Sequence, residues 1–183
     1  MTTTTTLITA EQLMQMPENG KRLELVKGEL VDMPPAGYAY GRVASRIDRG
    51  IGNYVEQYDL GEVVISEASF RIAQNPDTVR VPDIAFLCKE HVPHGPAPQG
   101  FIDQAPDLVV EVASPTDSAS SFQAKLEQWL AAGVQLVWVA YPNTKSVVVY
   151  NAQREGKLLR AEDMLTGDPV LPGFSCKVSE IFN

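Results

Sequence analysis

The spacing of apolar positions along the chain changes several times, and each change marks an element. After a Thr-rich opening, Thr2 to Thr6, that has nothing to bury, Thr9 and Gln12 take the spacing of a capping box and predict a short helix over Ala10 to Gln15. Residues 1–8 are expected to form a flexible N-terminus. Arg22 to Val26 and Glu29 to Met33 flank two residues, Lys27 and Gly28, a spacing that fits a tight β-hairpin. Pro34 and Pro35 end the second strand. From Gly41 to Tyr58 the period lengthens: Val43, Ile47, Ile51 and Tyr54 recur at helical spacing, although Gly50 and Gly52 weaken the pattern.

Beyond Gly61 the chain reads as strands. Glu62 to Ile72, Val79 to Cys88 and Leu108 to Ala113 are rich in Val, Ile or Phe and bounded by Gly, Pro, Asn or Asp, so the core sheet is expected here. His91 to Pro106, dense in proline and glycine, reads as a surface loop. A helix follows from about Ser118 to Ala132, with Phe122, Leu126, Trp129 and Leu130 on one face and Gly133 as its stop signal. Leu136 to Tyr141 and Ser146 to Asn151 flank Pro142 to Lys145 as a hairpin, and Lys157 to Arg160 adds an edge strand. This order predicts an α/β chain of the α+β type, a mixed central β-sheet flanked by helices, in one domain over residues 9–183.

Composition narrows the function. The 183 residues, 44% of them hydrophobic, suffice for a proper core. No stretch approaches the roughly 18 apolar residues of a membrane span, and the Thr-rich start lacks the basic and apolar regions of a signal peptide, so a cytoplasmic protein that does not engage a membrane is expected. Cys88 and Cys176 belong to no C-x-x-C pair, which argues against a disulfide framework and a thiolate zinc site. His91 and His94, at a spacing that could hold a metal on a helix, sit in the Pro/Gly loop without a third ligand and read as loop surface. There is no G-x-S-x-G elbow, P-loop or G-x-G-x-x-G, so serine hydrolase, nucleotide hydrolase and dinucleotide chemistry are unsupported.

The residues that carry chemistry are acidic. Glu111 interrupts the apolar run Leu108-Val109-Val110-Glu111-Val112-Ala113, where a carboxylate is expensive to bury unless it binds a cation or is otherwise paired. Asp83, after Val81-Pro82, opens a second apolar strand. Neighbouring strands would bring the two together as ligands for Mg²⁺ or Mn²⁺, with the backbone carbonyl of Val112 as a further oxygen. Taken singly, Glu111 also fits a half-exposed strand face, Asp83 an Asx turn, and Lys125 a solvated helix lysine. A net charge of −8 weighs against a polyanionic partner. Arg42, Arg46 and Arg49, at i, i+4 and i+7 with Lys21, Arg22 and Lys27 nearby in sequence, offer a basic stripe that fits equally well as the solvated face of an amphipathic helix.

The stretches LITAEQLMQMPENGKRLELVKGELVDMPPAG, VRVPDIAFL, PDLVVEVASPTDS, QAKLEQWLAAGV and LPGFSCKVSEIF resemble the Uma-type restriction endonuclease family of the PD-(D/E)XK nuclease superfamily, in order and over nearly the whole chain. The resemblance implies a restriction-endonuclease-like fold and a Mg²⁺- or Mn²⁺-dependent deoxyribonuclease, a homodimer if both strands are cut. It implies Asp83, Glu111 and Lys125 as catalytic residues. The superfamily's lysine lies two places after the second acidic residue, which here is Ala113. In this family it commonly moves to the following helix, at Lys125. A glutamate of the first hairpin, Glu24, is implied as a further metal ligand. The sequence departs from the family at Tyr40, where a histidine is common, and at Tyr141, where an aspartate is common. These departures, with Ala113 and the acidic charge, leave two rivals: an idle nuclease fold serving as a dimerisation or interaction module, and a metal-dependent hydrolase of RNA or another phosphodiester.

Overall fold

The structure, a computed structural model, describes residues 7–17, 22–33, 35, 37–114 and 118–183. The Thr2–Thr6 stretch, Lys21 and Pro34 lie outside the described residues. The first helix, α1 (Ala10–Met14), carries the expected capping box: the Gln12 N–H donates to Thr9 Oγ1 (3.3 Å) and the Thr9 N–H to Gln12 Oε1 (2.8 Å). Strands β1 (Arg22–Val26) and β2 (Glu29–Met33) pair antiparallel. Lys27 and Gly28, at φ 51° and 81°, take the left-handed conformations that a two-residue turn of matching twist demands. Helix α2 spans Tyr38–Tyr58 and runs through Gly50 and Gly52 unbroken.

Two of the expected long strands are each divided between sheets. Glu62 to Ile72 becomes β3 (Gly61–Ile65) and β4 (Phe70–Ala73), and Val79 to Cys88 becomes β5 (Thr78–Arg80) and β6 (Ile84–Cys88). The second break falls at Val81-Pro82-Asp83. Pro82 has no N–H to give to a ladder, and the Val81 N–H goes to the Glu24 side chain instead of a strand partner. One sheet therefore runs β2-β1-β5-β4. After β7 (Leu108–Val112) come α3 (Ala119–Ala131), β8 (Leu136–Tyr141), β9 (Ser146–Asn151) and β10 (Gly156–Leu159), which complete a six-stranded sheet of order β10-β9-β8-β7-β6-β3. Only the β7–β8 pair is parallel there, and α3 is its crossover, capped by Ser118 and followed by Gly133 at φ +96°. The α+β class with a mixed sheet is as expected.

The sheet is covered on both faces. Alternation sends Ile84, Phe86, Leu108, Val110 and Val112 toward the Val43, Ile47, Ile51 and Val55 stripe of α2. It sends Ala85, Leu87, Val109, Val137 and Val139 toward Leu126, Trp129 and Leu130 of α3. The C-terminal elements β11 (Met164–Thr166), β12 (Ser175–Lys177) and α4 (Val178–Phe182), not anticipated from the sequence, add Leu165, Val178, Ile181 and Phe182 to the α2 layer. Arg46 turns part of its side chain inward, burying Nη1 beside Trp138, so the expected stripe keeps only Arg42 and Arg49 fully exposed. No described helix is long and apolar enough to cross a membrane.

Candidate active site

Glu111 alternates with the α2-facing residues of β7 and so projects, like Val109, toward α3. Lys125 and Trp129 are one helical turn apart on α3 and share the face that meets it. Trp129 Nε1 donates to Glu111 Oε1 at 2.8 Å, and Lys125 Nζ lies 2.9 Å from Oε1 and 3.0 Å from Oε2. The half-exposed strand position is thereby replaced by a buried carboxylate, and the solvated lysine by a partly buried one paired with it.

Asp83 stands where β6 begins and β7 outruns it. Val112 lies past the last β6–β7 pairing, Ile84 with Val110, and its N–H is met by Asp83 Oδ2 at 2.7 Å. Because the Ala113 N–H faces β8 through the Ala140 carbonyl, alternation turns the Val112 carbonyl to the Asp83 side. Glu24 arrives from the other sheet. It is 3% exposed, accepts from the Val81 N–H at 2.9 Å and from Arg80, and lies 3.3 Å from Lys125 Nζ. Lys125 also donates to the Val81 carbonyl at 3.1 Å, and Arg80 Nε to Gln128 Oε1 at 2.8 Å. Glu24, Asp83, Glu111 and Lys125 are thus brought together from β1, the β5–β6 junction, β7 and α3.

The electrostatics follow from that crowding. Burial pushes the Glu111 carboxyl up to about 8; the like charges of Asp83 and Glu24 add to this and Lys125 opposes it. Burial works against the Lys125 ammonium, but Glu111, Glu24 and Asp83 outweigh it and hold the lysine well above its ordinary value. Burial likewise opposes ionisation of Glu24, and Lys125 with Arg80 overcomes it, leaving the carboxyl below the usual range. These groups line an open cleft of about 540 Å³ whose walls include Arg22, Tyr40, Ser118 and Ser121. Tyr141, the other departure from the family pattern, packs against Phe122 with ring centroids 6.4 Å apart.

Sequence reasoning missed Arg80, Gln128 and the polar half of Trp129. The signal for Arg80 was present, since a charge inside Val79-Arg80-Val81 poses the same question as Glu111. Trp129→Phe tests its share: the ring and its edge contact with Phe70 survive, while Glu111 loses a buried donor. The expected cost is about 1–3 kcal/mol in urea unfolding. An unchanged midpoint would show that the indole N–H does not hold the carboxylate.

Residues 10–179 match the model of the Uma2 family, described as "Putative restriction endonuclease". Among solved structures the chain is similar to "a putative nuclease belonging to DUF820" from Anabaena variabilis ATCC 29413, at 20% identity and a TM-score of 0.82, over 96% of this chain and 97% of that one. At that identity the likeness concerns the fold, and it agrees with the restriction-endonuclease-like architecture that the motifs imply. No curated protein matches the chain.

Proposed function

Because the chain belongs to the Uma2 restriction endonuclease family, we propose that it is a metal-dependent endonuclease hydrolysing DNA phosphodiester bonds, with Asp83, Glu111 and Lys125 as catalytic residues. The observation that carries this reading is the meeting of three buried carboxylates around one ammonium in the wall of an open cleft. With Glu111 ionised, three carboxylates face Lys125 and Arg80; that third negative charge is the one burial pushes toward a proton, and a hard divalent cation, suited to an all-oxygen donor set, would neutralise it instead. Asp83 and Glu111, with the Val112 carbonyl, would hold Mg²⁺ or Mn²⁺, and Glu24 would complete or orient the shell. Such an ion supplies charge to the scissile phosphate and makes a bound water more acidic.

The remaining steps belong to the chain. Lys125 stays protonated beside its carboxylates, so it serves as a donor that orients the attacking water and stabilises charge on the phosphate, not as a base. Arg80 fixes Glu24, and Gln128 in turn holds Arg80. Ser118 and Ser121 present the start of α3 to the cleft, where a phosphate finds a favourable dipole. Lys125 at ion-pair distance from Glu111 supports the displaced lysine over the idle scaffold that Ala113 suggested. Cutting both strands calls for two such sites, hence a homodimer.

The test is cleavage of supercoiled DNA, single-stranded DNA and RNA in Mg²⁺ and in Mn²⁺, with chelator controls. Metal-dependent cutting of DNA is expected. Cutting confined to RNA would move the substrate, and no cutting by pure protein in either ion would favour the interaction module.

A further inference from the structure

We propose that Cys88, His91 and Asp107 form a second metal site, separate from the cleft, that takes Zn²⁺ and staples the long 89–106 connection to the end of the six-stranded sheet. Cys88 ends β6 and Asp107 immediately precedes β7, so the antiparallel pair carries them to the same end. The Cys88 N–H donates to Asp107 Oδ2 at 2.7 Å, which fixes the carboxylate. His91 comes back over both on a turn closed by its N–H to the Cys88 carbonyl (2.8 Å). Its Nδ1 lies 3.2 Å from Cys88 Sγ and 2.8 Å from Asp107 Oδ1, and the three donor atoms fall within 4.8 Å of one another.

The donors are a thiol, an imidazole nitrogen and a carboxylate, the mixed soft and borderline set that Zn²⁺ takes and Mg²⁺ does not. In a tetrahedral zinc shell, bound sulfur and nitrogen sit roughly 3.6 Å apart and nitrogen and oxygen roughly 3.4 Å. The observed spacings need to open by only about half an ångström, and His91, half exposed on its loop, can move that far. As the sulfur binds, the thiol proton passes to solvent. With three protein ligands, the fourth position would be taken by water.

A Cys-His-Asp catalytic relay would use the same residue types, but its geometry differs. A relay places the nucleophile on one ring nitrogen and the carboxylate on the other. Here sulfur and carboxylate both meet Nδ1. Cys88 lies five residues along the chain from Asp83, about 16 Å at roughly 3.3 Å per strand residue, so the site cannot share the ion of the cleft. Its mechanical reach is the loop, which Ile102 ties to Phe70 of β4 and Asp103 to Arg71.

Co²⁺ added to the full-length chain distinguishes this site from the cleft, since only a thiolate ligand gives a sulfur-to-cobalt charge-transfer band. One equivalent is expected to produce that band, and Zn²⁺ to abolish it by displacement. The band should vanish in Cys88→Ser and His91→Ala and persist in Cys176→Ser and Asp83→Asn. Zn²⁺ should raise the melting temperature of the wild type and of Asp83→Asn but not of His91→Ala, a half-exposed position whose loss leaves the core intact. No charge-transfer band in the wild type, or a band that survives Cys88→Ser, overturns the assignment.

Discussion

Asp83→Asn is expected to cut DNA at least about a thousandfold more slowly than the wild type in Mg²⁺ while melting no lower in the absence of metal. On the proposed mechanism the substitution removes a ligand that would help supply several kcal/mol of charge stabilisation at the phosphate, and each 1.4 kcal/mol is about tenfold in rate. The fold loses little, because the asparagine carbonyl can still accept the Val112 N–H. Neutralising position 83 also removes one of the like charges that disfavour ionised Glu111. Plasmid nicking and calorimetry on the same preparations separate the two effects. Retained cleavage would remove Asp83 from the active site, and a collapse in melting temperature would recast it as a structural residue.

Lys125→Met has the other large effect, and it falls on stability as well as rate. The variant keeps the packed length of the side chain but leaves Glu24, Asp83 and Glu111 with Arg80 as the remaining neighbouring cation among the contacts described. Breaking a buried pair from one side costs about 3–5 kcal/mol. Mg²⁺ should therefore raise the melting temperature of Lys125→Met more than that of the wild type, yet cleavage should not return. Acid should also help. The Glu111 pKa rises from 4.5 to about 8 on folding, so between those values the folded state binds the extra proton and stability falls as pH rises. Without the opposing ammonium the carboxyl is pushed further up, so the fall in stability should extend to higher pH. Equal stability of variant and wild type in chelator at pH 8 would mean that the lysine does not neutralise the cluster.

How much of this the sequence revealed depended on the range of the interactions involved. Helices α2 and α3 and the Lys27-Gly28 hairpin were legible because caps, turn residues and a 3.6-residue period are local. The division of Val79–Cys88 between two sheets was not, although Pro82 marked the place, because choosing a sheet is a matter of long-range pairing. Asp83 and Glu111 stood out as charges against apolar strands. Glu24 did not: an alternating strand gives two faces, and only docking of the hairpin against α3 decides that one holds a buried glutamate. The resemblance supplied Lys125, which spacing alone assigned to solvent. His91 was read with His94 as loop surface for the same reason, since Asp107 lies 16 positions away and meets it only when β6 and β7 pair.

The alternation of Glu111 with its neighbours also bears on folding fidelity. A one-residue slip of β7 against β6 and β8 would turn the carboxylate into the layer under α2, away from the Lys125 ammonium and the Trp129 indole that hold it and among mostly apolar side chains. Glu111, a proposed metal ligand, thus also favours the correct register, since only that pairing gives its carboxylate the Lys125 and Trp129 donors and the neighbouring acidic groups.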